Sequence, residues 1–576
     1  MTANDIVNWT PDFFLANEAK CRLVLGETAD RLSVPSLNSL PLHSFRDKQL
    51  ARFRGMIQDT YNPEYYLDHF QIRNVATNET TTCRGRYRDM LDSLPGETVI
   101  VDSKENINAE RQTCFVISVP GVNSWAKEQR TVCEIAPQVS TNTATKRSLE
   151  SEEMECAEIS SKKHTQTTLS PGEGEPRLLS REHAMNFPLP NDDGIACIVK
   201  IYDETSFKLN QIIDIVGFMS LDPALSIAHD PDKLMDDIEF QSHNPPVSLI
   251  PRLHAIDIKD VSKEEIPHAI QGNSTFPATT RSDLKLVLSQ ILFGDTLAAE
   301  YVICHLISSI YLRRDFLSLG AFPLNITNFP LERCKTFPED FYGILSLLLP
   351  KSHLIGMTLD ELNNLNLQPK KDYDCNRLTS GVLQLSDNTH LVLDETKLTN
   401  GQVSANGRKN YEAFSTLINF QKVTYDFKYY TMDFPTDIPV LILSESKSMI
   451  PCNRQIVLEK NSDSESLYSE TLEAVRQYLR DETRINNIRS WLRVSRRREI
   501  EIETEDSIGD VIQNDFVEMR QLDKSTSAED LHSLMVLARL MSMSHGMDKL
   551  AVDHWHEAVR MEKERKSRLQ RQRVQM

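Results

Sequence analysis

Two adjacent carboxylates, Asp394 and Glu395, follow the apolar run Leu391–Leu393 and are the residues best spaced to do chemistry. In nucleoside triphosphate hydrolysis, one acid at the end of such a strand holds magnesium and the next orients the attacking water. Many strands end in acids for other reasons, so the pair requires a partner. That partner is a loop of the form G-x-x-x-x-G-K-[ST], whose backbone N–H groups and lysine bind phosphate.

A first candidate for this loop is Gly294–Thr296, which lies about 100 residues before Asp394. Glu300 and Tyr301 follow it where Lys and Ser would be needed. The stretch also lies between two helical runs rather than after a strand. Its glycine is therefore not sufficient to predict phosphate binding.

A second candidate, Asn328–Thr336, has the expected position after a strand and before a helix, with Lys335 59 residues before Asp394. Its chemistry does not fit. It contains no glycine, Pro330 lacks a backbone donor, and Glu332 places a negative charge where phosphate would bind. We therefore predict no catalytic residue, no bound nucleotide and no cofactor, with only remnant positions at Asn328, Lys335, Thr336, Asp394 and Glu395.

The elements that must position these residues alternate between strand and helix from residue 281 to 465. Strand-like runs at Phe322–Thr327, Leu391–Leu393 and Ile438–Leu443 flank a helix predicted at Phe337–Leu349. This alternation predicts an α/β domain with a mainly parallel sheet. Residues 466–576 have helical periodicity throughout and end in a basic helix, which we interpret as a solvated terminal helix.

The N-terminal half differs in its predicted secondary structure. Residues 1–45 predict a short helical lead, and strands such as Cys114–Val119 and Ile195–Tyr202 lie on either side of a polar segment. We predict one all-β domain over 46–222, a barrel of the OB type interrupted at about 135–185. Residues 223–280 are expected to be a connecting segment.

The segment at about 135–185 is rich in Ser, Thr, Glu and Lys, and it is nearly free of aromatic residues. Such a composition predicts disorder, because too little apolar surface is available to offset the entropy of ordering. Two basic pairs within it, Lys146-Arg147 and Lys162-Lys163, resemble a bipartite nuclear-import signal. The alternative is that both pairs occur by chance in a charged linker.

Composition excludes several classes of protein. The net charge of −19 argues against a protein that coats nucleic acid. The ten cysteines include no C-x-x-C pair, so we predict reduced thiols and no metal site. We also expect no signal peptide and no membrane span, and hence a cytosolic or nuclear protein.

The C-terminal half resembles, in degenerate form, the AAA+ ATPase module of the MCM replicative helicase subunits. The resemblance rests on Ser380–Leu385 followed by Leu393–Glu395, on Lys371-Asp372, and on Asp515–Arg520 with Ala528–Leu540. It implies a fold class of α/β plus all-β: an interrupted OB-like barrel, a degenerate AAA+ domain and a helical lid.

Departures from that family fall on its catalytic positions. Glu529 stands where the lid carries a nucleotide-sensing arginine, and Ser444–Ser446 contains no sensor asparagine. The Ser-Arg-Phe triplet that carries the arginine finger is absent from the chain. The resemblance therefore implies a module that keeps the shape of an ATPase without its activity.

Over its full length the sequence is similar to the family of MCM complex-binding proteins. The matching stretches include Val34–Asn38, Arg52–Asp59, Glu110–Thr113, Asn186–Pro190 and Leu297–Tyr301. This resemblance implies a nuclear protein that binds MCM helicase subunits and associates with chromatin through them, with no membrane and no small-molecule substrate. It further implies that the protein promotes MCM disassembly from chromatin in late S phase and supports sister-chromatid cohesion. A divergent ATPase or a single-stranded-DNA-binding replication factor is the alternative.

Overall fold

A computed structural model describes residues 6–91, 95–128, 180–190, 194–222, 237–262, 276–314, 317–460, 462–500 and 506–575. Within these ranges the protein is a mixed α/β protein with four sheets. The sixteen α-helices of the described residues are Pro11–Ala16, Glu18–Gly26, Thr28–Leu32, Arg181–Met185, Asp237–His243, Thr280–Ile291, Thr296–Ile307, Phe337–Leu348, Leu359–Asn364, Ala405–Phe420, Ser462–Ser466, Tyr468–Tyr478, Glu482–Arg497, Asp506–Leu522, Ala528–Ser544 and Val552–Gln575.

The N-terminal part is built on one sheet of eight strands. These are β1 (Leu50–Thr60), β2 (Glu64–Asn74), β3 (Thr80–Arg84), β4 (Glu97–Ile100), β5 (Ile107–Ile117), β6 (Ala196–Ile201), β7 (Ile212–Ser220) and β8 (Arg252–Asp260). Five of these strands are hydrogen-bonded side by side in the order β1, β7, β8, β6 and β5, and β5 also pairs with β1. Only the β6–β8 pair is parallel. Alternate residues such as Phe53, Val116 and Val199 form a shared apolar cluster.

Strand β8 lies inside the segment 223–280, which the sequence predicts to be a connection. Its polar residues conceal the strand, because Arg252 and His254 interrupt the apolar pattern although both are buried. His254 Nε2 lies 3.4 Å from the carboxylate of Asp89, which also pairs with Lys200 at 2.7 Å. Buried charges are tolerated when they are paired. Here the pairing partners come from distant parts of the chain.

The C-terminal part contains the remaining three sheets. Their strands are β9 (Leu312–Arg314), β10 (Leu317–Leu319), β11 (Leu324–Thr327), β12 (Ser352–Gly356), β13 (Lys370–Asp372), β14 (Arg377–Thr379), β15 (His390–Asp394), β16 (Lys422–Asp426), β17 (Thr431–Pro435), β18 (Val440–Leu443) and β19 (Gln455–Val457). The central sheet has the order β12-β15-β18-β11-β19, and every pair in it is parallel. The parallel α/β sheet predicted from the alternation of elements is therefore present.

The two helical runs predicted on either side of Gly294–Thr296 are both present. Thr280–Ile291 and Thr296–Ile307 are separated at Phe293 and Gly294, which have φ angles of 58° and 86°. The side chain of Asp295 then accepts a hydrogen bond from Ala298 N at 3.0 Å and caps the second helix. Both helices contribute to the same apolar cluster, and the second is buried at every position from Ala298 to Ile307.

The largest apolar cluster joins the parallel sheet to the C-terminal helices. It contains Leu324 and Leu441 from the sheet together with Trp491, Met541 and Trp555 from the helices. The basic helix Val552–Gln575 is not wholly solvated, in contrast to our interpretation. Two of its arginines are buried against the protein body: Arg568 pairs with Asp295, and Arg565 donates to Gln455 O at 3.0 Å. No α-helix among the described residues has the length and apolarity needed to span a bilayer.

Polar contacts connect the N-terminal sheet to the C-terminal part. Asn186 donates its side-chain amide to Leu378 O at 2.8 Å and accepts from Ser380 N at 2.8 Å. Asp59 of β1 accepts from Leu378 N at 2.8 Å. Gln384 donates to the carbonyl of Gln58 at 2.9 Å. Because these groups are buried, the hydrogen bonds hold β14 and the residues that follow it against β1.

Candidate functional site

The carboxylate pair lies at the carboxyl edge of the parallel sheet. Asp394 is the last residue of β15 and pairs in register with Gly356 of β12 and Leu443 of β18. Its side chain is completely buried, and Glu395 is 8% exposed. In parallel α/β sheets this edge is where ligands bind. The site predicted from the sequence is thus placed where such chemistry would occur.

Asp394 is occupied by groups of its own chain. Its Oδ1 accepts hydrogen bonds from Thr396 N at 3.1 Å and from Thr396 Oγ1 at 2.6 Å. Its Oδ2 lies 3.6 Å from Nζ of Lys397. The first contacts form an Asx-type turn that ends the strand. The ammonium places a positive charge beside the carboxylate, so the protein itself supplies a cation to this acid.

Lys397 also bridges to the helix that follows the second candidate loop. Its Nζ lies 2.7 Å from Oε1 of Glu339, in the first turn of Phe337–Leu348. The hydrogen bond to Glu339 raises the pKa of Lys397. A side-chain carbon built on Gly356 would lie 3.4 Å from Cδ of Lys397, so the lysine stem packs along β12. The ammonium is therefore held between two acids at the sheet edge.

The carboxylate of Glu395 accepts hydrogen bonds from groups of the protein itself. Its Oε1 accepts from Ser448 Oγ at 2.7 Å, and its Oε2 accepts from Met449 N at 3.1 Å. Burial raises the pKa of Glu395, and these hydrogen bonds act in the opposite direction. These hydrogen bonds from Ser448 and Met449 hold the loop that follows β18 in place. It does not face an open cleft in which it could orient a water molecule.

The second candidate loop, which begins at Asn328, is filled by its own side chains and turns. Phe329 is buried, and its ring centroid lies 4.9 Å from that of Phe337. The backbone amide of Cys334 donates to Pro330 O at 2.8 Å. Asn328 has a left-handed φ of 68° and donates its side-chain amide to Leu458 O at 2.9 Å. Amides used inside a turn are not free to surround phosphate.

The other predicted remnant positions do not converge on Asp394. Lys335 is exposed, and Thr336 donates its hydroxyl to Asp340 at 2.8 Å. Glu529 is exposed in the first turn of Ala528–Ser544. The link from this region to Asp394 runs instead through Lys397, which the sequence reasoning missed. Its spacing of three residues from Asp394 was the available signal.

The first candidate loop also has a structural explanation. Asp295, which caps Thr296–Ile307, accepts from Arg568 Nη1 at 2.5 Å. Arg568 lies in Val552–Gln575 and is 8% exposed. Arg565 of the same helix pairs with Glu562 at 2.6 Å. The acid after Gly294 therefore joins two helices.

The remaining site predictions concern metal binding and nuclear import. Within the described residues, one group of side chains could hold a metal ion: His183, Asp372 and Cys375. His183 lies 189 residues before Asp372, which explains why no ligand spacing revealed the group. The eight described cysteines are all free thiols, and six of them are buried. The basic pairs Lys146-Arg147 and Lys162-Lys163 lie outside the described residues.

Fold and site together define a mixed α/β protein in which the acids of a nucleotide-hydrolysis motif make internal contacts. The chain belongs to the family described as Mini-chromosome maintenance replisome factor, which matches residues 21–569. This confirms the family predicted from the sequence.

Proteins named Mini-chromosome maintenance complex-binding protein are similar to it over nearly the full length. That of Drosophila melanogaster is 37% identical over 97% of each chain. Those of Danio rerio and Homo sapiens are 37% and 36% identical, each over 94% of this chain and 91% of its own length.

Proposed function

We propose that this protein binds the MCM helicase complex as a non-catalytic partner and acts in DNA replication. The observation that carries the proposal is the similarity, over nearly the whole chain, to proteins named for binding that complex. We further propose that it is nuclear and chromatin-associated through MCM, that it promotes MCM disassembly in late S phase, and that it supports sister-chromatid cohesion. These finer roles follow from the family resemblance.

The strand order supports a degenerate AAA+ architecture for the C-terminal part. The strand before the altered loop, β11, and the strand before the acids, β15, both lie next to β18 and run parallel to it. The loop and the acids therefore emerge at the same sheet edge, as an ATPase of this kind requires. In the N-terminal part, β1, β7, β8, β6 and β5 pair in that order, β5 also pairs with β1, and β6–β8 is the single parallel pair. This arrangement likewise supports an OB-like barrel.

A physical mechanism follows from this shape. AAA+ subunits assemble into rings by packing one ATPase face on the next, with nucleotide at the junction. A protein of the same outline could take a neighbour's place without ATP, because Lys397 already neutralises Asp394. It would favour ring opening to the extent that it binds the open state more tightly than the closed one.

Capture of MCM subunits tests the binding proposal. The full-length protein, immobilised and exposed to each purified MCM subunit and to the assembled complex, should retain at least one subunit. Retention should be equal with ATP, with ADP and without nucleotide. Failure to retain any subunit would contradict MCM binding, and retention that requires nucleotide bound to this chain would favour the ATPase alternative.

Nucleotide titration separates the proposal from the alternative directly. A fluorescent ATP analogue should show no saturable binding to the full-length protein, and Lys335→Ala should change nothing because Lys335 is exposed and an amide of its loop is already used within the turn. Saturable binding that Lys335→Ala abolishes would support a divergent ATPase. Binding of single-stranded DNA in the same format would support the DNA-binding alternative.

Depletion and re-addition test the unloading role. Replicating extracts that lack the protein should retain MCM on chromatin after S phase, and the wild-type chain should restore its release. Chains in which Lys146, Arg147, Lys162 and Lys163 are replaced by Ala should be excluded from the nucleus. Normal nuclear entry of that variant would contradict the proposed import signal without affecting MCM binding.

A further inference from the structure

A cluster of metal-ligating side chains lies between the two parts of the protein. Asp372 ends β13, Cys375 lies in the turn before β14, and His183 belongs to the helix Arg181–Met185. One ligand atom from each residue lies within 4.8 Å of the other two. We propose that these three side chains form a zinc site, with water in a fourth position, that fastens the Arg181–Met185 helix to the β13–β14 turn.

The chemistry of the three ligands favours zinc. Zinc binds thiolate, imidazole and carboxylate, and it takes four ligands in a tetrahedral arrangement. Harder cations such as magnesium and calcium prefer oxygen ligands alone. One thiolate and one carboxylate would also balance the two positive charges of the ion. The set therefore suits zinc in both donor type and net charge.

His183 carries the second observation that points to a ligand. Its Nε2 is buried and has no hydrogen-bond partner within the described part of the chain. The neutral imidazole is the form that binds metal. A buried ring nitrogen without a partner is costly, and coordination would remove that cost.

Neighbouring contacts hold the three ligands in place. Arg377 donates to the carbonyl oxygens of His183 and Ala184 at 3.0 and 2.9 Å, so its charge is directed at the helix backbone. Lys371 donates to Asn376 O at 2.8 Å and closes the turn that carries Cys375. Supporting groups of this kind orient metal ligands. The helix and the turn are thus already aligned before an ion binds.

Binding requires small movements and the release of one proton. Tetrahedral zinc with bonds of about 2.0–2.3 Å keeps its ligand atoms roughly 3.5 Å apart, so the side chains must approach by no more than about 1.3 Å. His183 and Asp372 are half-buried and can rotate, whereas Cys375 is 4% exposed. The Cys375 thiol would lose its proton to solvent as the sulfur–zinc bond forms.

Cobalt(II) provides a direct probe, because thiolate coordination gives an absorption band that oxygen and nitrogen ligands do not. Full-length protein, stripped with chelator and reduced, should bind one equivalent of cobalt with this band, and zinc should abolish it. Cys375→Ser should lose the band. His183→Gln and Asp372→Asn should weaken cobalt binding at least about tenfold. The matched control Cys83→Ser, at a half-exposed cysteine in β3, should leave binding unchanged.

The proposal is overturned if the wild-type protein shows no thiolate band, or if Cys375→Ser keeps it. Circular dichroism of each variant establishes folding. If Cys375→Ser fails to fold, the decision rests on Asp372→Asn, whose side chain is nearly the same size. Unchanged cobalt affinity in that folded variant would exclude the three-residue site.

Discussion

The ammonium of Lys397 lies 3.6 Å from the carboxylate of Asp394, a side chain that the protein buries completely. Removing the ammonium would leave a buried carboxylate without its cation. Loss of a fully buried partner typically costs 3–5 kcal/mol, and exposed pairs cost far less. Because the Lys397 side chain is 43% exposed, we expect Lys397→Met to lower the free energy of unfolding by about 2 kcal/mol in urea titration.

A double-mutant cycle identifies the source of that loss. Asp394→Asn removes the charge that Lys397 neutralises, so the double variant should lose less stability than the sum of the single variants. Lys335→Met serves as the control, because Lys335 is exposed and should change stability by less than about 0.5 kcal/mol. Strict additivity of the two site substitutions would contradict the ion pair.

Glu395 should behave as a structural residue rather than a catalytic base. Glu395→Ala leaves Met449 N without its side-chain acceptor and Ser448 Oγ with Ile450 O alone, so we expect a loss of about 2 kcal/mol. Amide exchange at Met449 should also accelerate. The exposed Glu445→Ala is the matched control and should change neither quantity measurably. Normal stability and normal exchange in Glu395→Ala would show that these contacts do not hold the loop.

Acid should destabilise the protein through His305. Burial lowers the pKa of His305 to about 4, while its Nδ1–H donates to Phe322 O at 2.8 Å. The unfolded chain therefore binds a proton more readily than the folded one between pH 6.5 and 4, and stability falls as the pH falls through that window. The contribution of this residue is at most about 3 kcal/mol.

His305→Asn tests this assignment, since an amide can replace the ring contact but does not titrate. Urea unfolding at intervals from pH 7 to 4 should show a shallower loss of stability in the variant. The dependence of stability on pH should not vanish, because burial lowers the pKa of His390 as well. The ring centroid of His390 lies 5.6 Å from that of His305. The exposed His43→Asn should leave the slope unchanged. An identical pH profile for wild type and His305→Asn would exclude His305 as the source.

Asn186 should contribute strongly to the contact between the two parts. Asn186→Ala removes a hydrogen bond to Leu378 O and one from Ser380 N, both within a buried interface. We expect a loss of about 2–4 kcal/mol and faster amide exchange at Ser380. Asn419→Ala, which loses only exposed contacts to Ser415 one helix turn away, should cost less than about 1 kcal/mol. Equal effects of the two substitutions would contradict the role of Asn186.

Several properties were already determined by the sequence, because they depend on neighbouring residues. The alternation of apolar runs predicted a parallel sheet, with Asn328–Thr336 after one strand and Asp394 at the end of another. The absence of glycine from that loop followed from composition alone. The family was also recoverable from local stretches. Backbone preferences and strand-end chemistry act over a few residues, so one sequence suffices to read them.

Tertiary structure alone decided what those residues do. Lys397 was visible three residues after Asp394, but its bridge to Glu339 depends on how the helix Phe337–Leu348 packs on β12. Strand β8 was hidden because the partner of His254 is Asp89, 165 residues earlier. His183 meets Asp372 only across the folded interface. Such contacts join segments far apart in the chain, and no local pattern encodes which distant charge or ligand will be adjacent.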